Sequence, residues 1–320
     1  MPNDAMIIDA AERMLAERCD KAQLDAAERG EFPEGLWTLL RDAGFHQLAM
    51  PDSGVPLGEA FEVVRVAGRH ALPLPLTEML LAARWLGDAD RLATIGLVRG
   101  GAIVDAPWGR RAELVLGLDP ERNAWCQVVP GAAAGALSEG ANLAGEPRDA
   151  VAIPEGVEWV SLTEPALVLL ALGRAVAMAG CLEACLDMTL QYAGEREQFG
   201  RPIARFQAIQ HNLAVMAGEV AAAGRAADAA VDALDGDRFE LEVAAAKARV
   251  GEAAGVVAEI AQQVHGAMGF THEHRLHHFS RRAWAWRDEY GNETYWQERL
   301  GRHLAALGAD RLWDFLATRG

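Results

Sequence analysis

The chain has 320 residues, of which 51% are hydrophobic and 24% charged, a composition typical of a globular protein with two or three packed units. Its formal net charge of −16 argues against nucleic acids or anionic membranes as partners, because binding phosphates non-specifically requires clustered Lys and Arg. The abundance of alanine favours helices over strands. We therefore expect a mainly α protein.

The sequence shows no targeting or membrane pattern. The first residues, MPNDAMIIDAAERML, contain neither a basic segment nor a long apolar run, unlike a signal peptide. The most apolar stretch, ALVLLALGRAVAMAGCL, is interrupted by Arg174 and followed by Glu183, so it is shorter than the roughly 20 apolar residues that cross a bilayer.

The scattered cysteines are predicted to be reduced thiols in the core: Cys19, Cys126, Cys181 and Cys185. A cytoplasmic location is expected.

Residues 1–93 are predicted to form an N-terminal helical domain. Apolar residues recur every three or four positions in GLWTLLRDAG, GEAFEVVRVAGRHA and TEMLLAARWLG, and Gly or Pro ends each segment. DAAERMLAERCDKAQ is predicted to be a further helix before them. Together these segments favour an antiparallel bundle.

Residues 94–162 are predicted to form a small β domain. Short apolar runs such as GAIVDAPW, AELVLGLD and AWCQVV are bounded by turn residues, as strands are. The small-residue stretch PGAAAGALSEGANLAGEP is interpreted as loops or weak edge strands. The segment is long enough for a small sheet, but not for a barrel that encloses a ligand.

Residues 163–320 are predicted to form a C-terminal four-helix bundle. Three long helices are expected at 163–193, 203–233 and 237–265, each with one apolar face. The sequence DALDGDR is the predicted turn between the second and third of these helices.

A first candidate site lies in REQFGRPIARFQAIQHNLAVM, from Arg196 to Met216. Gly200 and Pro202 are predicted to end one helix and begin the next, which brings side chains and a helix N-terminus together. A guanidinium beside a helix N-terminus suits a phosphate or pyrophosphate. The alternative is a helix corner capped by Arg196.

A second candidate site lies in AQQVHGAMGFTHEHRLHHFSRR, from Ala261 to Arg282. The helix is predicted to end at Gly266 and to resume after a small-residue turn, leaving Gln263 where a ligand can approach the backbone.

The two segments resemble the C-terminal domain of flavin-dependent acyl-CoA dehydrogenases. That family has an R-x-x-F-G helix junction followed by a Phe-Gln or His-Gln pair, and later a Q-x-x-G-G-x-G-[FY]-x-x-E turn. The order of helices, strands and helices also resembles the family, as does LRDAGFHQLAMPD near the N-terminus. The matching positions are Arg196, Gln198, Phe199, Gly200, Phe206 and Gln207, then Gln263, Gly266, Ala267, Gly269, Phe270 and Glu273.

The resemblance implies FAD as the cofactor and an acyl-CoA as the substrate. In the family these segments hold the pyrophosphate and adenosine of a FAD bound at a subunit interface. Ala267 replaces a glycine of the family pattern, which limits close approach there. The implied cofactor-binding residues are Arg196, Gln198, Phe199, Ile203, Phe206, Gln207, Gln263, Gly266 and Ala267.

The resemblance identifies the catalytic base less clearly than it identifies the cofactor-binding residues. In the family a glutamate removes the α proton of the thioester while hydride leaves the β carbon for the flavin. Tyr290 occupies the aligned position of that glutamate, and Glu289 precedes it by one residue. Leu170, near the family's alternative base position, carries no carboxylate. Glu289 is the candidate base, with an ion-pairing role beside Arg282, Arg287 and Asp288 as the alternative.

The middle domain also departs from the family pattern. No T-E-P-x-A-G-S-D loop occurs between residues 94 and 160, and LTEPALVLL leads directly into a helix. The chain therefore resembles the short subunit of a heteromeric acyl-CoA dehydrogenase, whose long partner supplies the flavin-binding β domain and the base. A self-sufficient dimer or tetramer and a non-catalytic assembly protein that binds no flavin remain alternatives.

The histidines of HEHRLHH are expected not to bind a metal, because they lack a carboxylate at the H-E-x-x-H spacing. The resemblance leaves the acyl group open among short, long and sterol-like chains.

Overall fold

The computed structural model describes residues 4–132 and 136–317, which form helices, then strands, then helices along the chain. The N-terminal part contains α1 (Asp4–Arg18), α2 (Lys21–Glu28), α3 (Glu34–Asp42), α4 (Leu57–Arg69) and α5 (Leu76–Leu86). The predicted first helix is divided in two, because the Asp20 side chain caps α2 by accepting from the Gln23 backbone N–H at 2.9 Å.

The strands form one seven-stranded sheet in the order β5-β6-β2-β1-β3-β4-β7. The neighbours β1 and β3 are parallel and the other paired strands are antiparallel. The strands are β1 (Ala93–Arg99), β2 (Ala102–Pro107), β3 (Leu114–Asp119), β4 (Ala124–Val128), β5 (Leu137–Ser138), β6 (Arg148–Ala152) and β7 (Val160–Ser161).

The alternation of side chains along β3 divides the sheet between two clusters. Leu114, Leu116 and Leu118 join the main core with the helices, while Val115 joins a smaller cluster on the opposite face. The predicted weak edge strand is confirmed as β5, and residues 133–135 of that small-residue stretch lie outside the described residues.

The C-terminal part is the bundle that carries both candidate sites. Its helices are α6 (Ala166–Glu195), α7 (Gln207–Asp232), α8 (Phe239–His265), α9 (Leu276–Asp288), α10 (Glu293–Leu307) and α11 (Leu312–Ala317). The prediction that a helix begins at residue 203 is wrong, because Ile203–Arg205 is a 3-10 turn and α7 begins at Gln207. The mainly helical fold with a small sheet is confirmed, and the domain divisions at residues 93 and 162 stay predictions.

Helices α4 and α6 cross in close contact because each has a glycine at the crossing. A Cβ atom on Gly68 would lie 1.9 Å from the Ala177 carbonyl oxygen, and one on Gly180 would lie 2.0 Å from the Arg65 carbonyl oxygen. Both glycines are therefore needed for this distance between the helices.

Helix α6 is the one described helix long and apolar enough to cross a membrane, and 89% of its apolar window is buried inside the protein. Packing against the neighbouring helices thus accounts for its hydrophobicity. The predicted free thiols are confirmed, because the four cysteines are buried and unpaired.

Candidate functional site

The two candidate motifs lie at the same end of the bundle. The Tyr192 ring near the end of α6 stacks on the His265 ring at the end of α8, with centroids 4.4 Å apart and planes 24° apart. His274 completes this group of rings, with centroids 4.7 Å from His265 and 6.1 Å from Tyr192. The stacking places the chain that leaves α6 beside the chain that leaves α8.

The first motif forms a tight hairpin after α6. The Arg196 backbone N–H donates to the Tyr192 carbonyl at 2.8 Å, and the Arg196 carbonyl accepts from the Ile203 N–H at 2.8 Å. Between them, β8 (Glu197–Gln198) pairs with β9 (Arg201–Pro202). Phe199 and Gly200 make the turn with φ of 53° and 78°, so the glycine avoids the strain that a side chain brings in this region.

Most of the predicted cofactor-binding side chains of this hairpin face outward. Arg196, Gln198 and Gln207 are exposed, and Phe199 is 92% exposed. Ile203 and Phe206 are half-buried. The Phe206 ring is contacted by Phe199, with centroids 6.1 Å apart, and by the Arg201 guanidinium, 4.3 Å from the ring centroid.

The second motif forms an open turn after α8. Gly266 has φ of 58°, and a Cβ atom there would meet nothing within 4 Å. Gln263 is exposed, and its side chain donates to Glu259 Oε1 at 3.2 Å. Ala267 is also exposed, in the 3-10 segment Gly266–Phe270.

The candidate base Glu289 lies in a buried network of charges between the sheet and the helices. One carboxylate oxygen is 2.8 Å from Arg148 Nη2 and accepts from the Asn142 amide at 3.1 Å. The other oxygen is 2.8 Å from Arg174 Nη2. The alternative of an ion-pairing role for Glu289 is thus supported, but its partners differ from those expected, because Arg282 and Arg287 contact other glutamates.

Tyr290, at the aligned base position, joins the same network. Its hydroxyl donates to Glu78 Oε1 at 2.6 Å, and the same oxygen is 2.7 Å from Arg174 Nη2. Burial raises the pKa of Tyr290 well above its usual value, with the Glu78 carboxylate adding to the rise. Leu170 is fully buried, as is consistent with a core position in α6.

A second row of charges extends the network to the N-terminal helices. Glu146 lies 3.2 Å from both Arg148 Nη2 and Arg282 Nε, and it accepts from Trp286 Nε1 at 2.8 Å. Burial alone would raise the pKa of Glu146, but Arg148 and Arg282 hold it at about 2. Arg282 also lies 2.8 Å from Glu28 Oε1 in α2.

Burial would lower the pKa of Arg174, but Glu289 and Glu78 raise it. The network is thus a set of paired ions. None of its carboxylates is free to exchange a proton without leaving a buried guanidinium less well paired.

Buried Lys247 fixes the turn that carries Glu289 and Tyr290. Its ammonium group donates to the Arg287 and Gly291 carbonyl oxygens, each at 2.7 Å. Burial lowers the pKa of Lys247 to about 7. This turn also borders a cleft of about 400 Å³ lined by Arg99, Asn142, Trp284 and Glu289, among others.

Residues 162–304 match the family model for the acyl-CoA dehydrogenase C-terminal domain. Acyl-CoA dehydrogenase IpdE2 of Mycobacterium tuberculosis is 29% identical over 299 residues, which cover 87% of this chain and 90% of that protein. Glutaryl-CoA dehydrogenase of Desulfococcus multivorans is 39% identical over 144 residues, which cover 44% of this chain and 35% of that protein. The chain is thus similar to acyl-CoA dehydrogenases, most clearly in residues 162–304.

The fold is shared with a solved structure. A chain in the crystal structure of the ChsE4-ChsE5 complex from Mycobacterium tuberculosis superposes with a TM-score of 0.84 at 22% identity. The superposition covers 94% of this chain and 97% of that chain.

Most of the buried network was not predicted from the sequence. Its pairs are distant in the chain, with Glu78 and Arg174 separated by 96 positions and Arg148 and Glu289 by 141. One signal was present, because an arginine inside the most apolar stretch predicts a buried partner. The role of Glu289 as a base stays a prediction.

Proposed function

We propose that this chain is the short subunit of a heteromeric FAD-dependent acyl-CoA dehydrogenase and binds the nucleotide half of FAD at the end of its bundle. The observation that carries the proposal is the stacking of Tyr192 on His265 at 4.4 Å, which brings the two family motifs together. The flavin, when bound, accepts the hydride that leaves the β carbon of the thioester.

The residues at this end of the bundle fit a diphosphate. The Arg196 guanidinium is exposed and has no acidic partner among the described residues, so its charge is available to an anion. Gly266 leaves the neighbouring turn open for close approach of a ligand. Phe199, 92% exposed, offers an apolar surface that a bound nucleotide or a partner would cover.

The charged network supports separate roles for two subunits, with the catalytic base on the partner. Glu289 pairs with two guanidinium groups, and proton transfer to it would leave Arg148 and Arg174 short of a counter-ion in the interior. We therefore assign Glu289 to positioning the turn and expect the long partner to supply the catalytic base.

The comparisons support this proposal at the level of chain length and fold. IpdE2 is named an acyl-CoA dehydrogenase, and the alignment covers 90% of its length, so the two chains are of similar size. The superposed chain comes from a complex of ChsE4 with ChsE5.

Co-expression tests the proposal directly. The chain would be purified alone and together with each full-length acyl-CoA dehydrogenase from the same genome, and the flavin per complex would be measured by absorbance. We expect flavin and acyl-CoA-dependent dye reduction in the complex and little of either in the single chain. A complex that forms but contains no flavin would support the non-catalytic assembly role instead.

A matched pair of variants tests the site. Arg196→Ala is expected to lower the affinity for FAD by about 10- to 100-fold, because a charge-assisted contact to phosphate contributes about 1.5–3 kcal/mol. Arg225→Ala removes the same charge from an exposed position on α7 and should leave affinity unchanged. Equal effects of both variants would contradict a specific role for Arg196.

A further inference from the structure

A second group of polar side chains lies between α2 and the beginning of α9, next to the second candidate motif. Asp25, His277 and His278 each offer one ligand atom, and these atoms lie within 4.8 Å of one another. One pair, Asp25 Oδ1 and His278 Nε2, is already 3.1 Å apart.

Each histidine has an acceptor beside its Nδ1 atom. His277 Nδ1 is 2.7 Å from the His274 carbonyl oxygen, which only accepts, so this nitrogen carries the proton. His278 Nδ1 is 2.7 Å from Glu28 Oε1, a carboxylate that also accepts. In each neutral ring the lone pair is therefore on Nε2.

Neither Nε2 atom makes a hydrogen bond to the described residues, although His277 is only 6% exposed and His278 is fully buried; His278 Nε2 lies 3.1 Å from Asp25 Oδ1 as an ion-pair contact. Buried polar atoms without a partner are rare and call for a ligand or an ordered water. A histidine whose other nitrogen donates to a carboxylate or a carbonyl is the usual arrangement around a protein-bound metal.

We propose that Asp25, His277 and His278 bind a divalent metal ion of the zinc class. Two imidazole nitrogens and one carboxylate oxygen are a known zinc ligand set, with water in the fourth position. Ligand atoms around zinc stand roughly 3–3.5 Å apart, given metal–ligand distances of about 2.0–2.2 Å, so modest side-chain rotation completes the geometry.

The surroundings leave Asp25 able to take part. Lys21 Nζ is 2.6 Å from Asp25 Oδ2, which leaves Oδ1 as the atom that faces His278. The Asp25 side chain is 33% exposed, so the group lies at the edge of the protein where an ion can enter. A bound ion would join α2 in the N-terminal part to α9 in the bundle.

This site departs from the sequence expectation that the HEHRLHH segment binds no metal. That expectation rested on the absence of the H-E-x-x-H spacing in this segment. The structure supplies Asp25 and Glu28 from α2, and Glu28 is 250 positions away from His278.

Cobalt binding tests the proposal on the full chain after treatment with EDTA. Titration with CoCl2 is expected to give the visible d–d absorption of a low-coordinate site at one ion per chain, and ZnCl2 should displace the cobalt. ZnCl2 should also raise the melting temperature of the treated protein. Absence of both effects would overturn the proposal and leave His278 as an ion-pair partner of Asp25 and Glu28.

Variants identify the ligands. Asp25→Asn and His277→Gln are each expected to weaken cobalt binding at least tenfold, whereas His211→Gln, at an exposed position on α7, should not. The Asp25 side chain is 33% exposed, so Asp25→Asn should fold even if the histidine variant does not, and it then still tests the site. Binding that survives Asp25→Asn but is lost in His272→Gln would overturn the site in favour of an exposed histidine.

Discussion

Tyr192 stacks on His265 with ring centroids 4.4 Å apart, and this contact joins the turn after α6 to the turn after α8. The two family motifs begin at Arg196 and Gln263, about 65 positions apart in sequence. Arg196 lies four residues after Tyr192, and Gln263 lies two residues before His265. The stack therefore sets the spacing of Arg196 and Gln263, which the proposed function requires.

Tyr192→Ala is expected to lower the affinity for FAD in the complex by about tenfold and to cost about 1 kcal/mol of stability. An aromatic pair contributes roughly 0.5–1.5 kcal/mol beyond its buried area, and here its loss also frees the two turns. Flavin titration of the purified complex measures the change. Leu190→Ala, at a 46% exposed position of the same helix, is the control and should bind FAD normally.

Glu289→Gln is expected to destabilise the protein by about 3 kcal/mol, because it removes one charge from a buried network and leaves Arg148 and Arg174 short of a partner. Thermal or urea unfolding measures this change. Asp288→Asn alters the exposed neighbouring carboxylate and should change stability by less than about 0.5 kcal/mol.

The same variant separates the two roles considered for Glu289. With a positioning role, the folded Glu289→Gln complex keeps most of its turnover. Loss of turnover by several orders of magnitude in a complex of unchanged stability would instead identify Glu289 as the base.

The sequence predicted the fold well because helical periodicity is a local property. The apolar face of α6 and the β-branched runs of the sheet can each be recognised within a short window. Arg174 and Glu289 are brought together only by packing of α6 against the turn after α9, so no local pattern gives their 2.8 Å contact. The same limit applies to Asp25 and His278, whose chemistry depends on two distant helices.

Lys247 gives the stability of the protein a dependence on pH near neutrality. Burial lowers its pKa from 10.5 to about 7 in the folded state, so between these values the unfolded chain binds more protons. The free energy of unfolding should therefore rise with pH, by up to about 1.4 kcal/mol per unit. Above pH 9.0 the buried Cys19 thiol opposes this trend, because burial raises its pKa to about 12.

Urea unfolding at several values between about pH 7 and pH 9 measures this slope. Lys247→Met should lower stability at every pH, because the Arg287 and Gly291 carbonyls lose their donor, and should also flatten the slope. A variant whose stability runs parallel to that of the natural protein would show that Lys247 remains charged in the folded state.

Two glycines of α6 should respond in opposite directions to the same substitution. Gly180→Ala places a methyl group 2.0 Å from the Arg65 carbonyl oxygen, so α4 and α6 must separate, at a cost of about 3 kcal/mol. Gly194→Ala meets nothing within 4 Å and should stabilise the helix by about 0.5–1 kcal/mol, because alanine loses less backbone entropy. Thermal unfolding compares the two variants, and a stabilising Gly180→Ala would contradict the close crossing of α4 and α6.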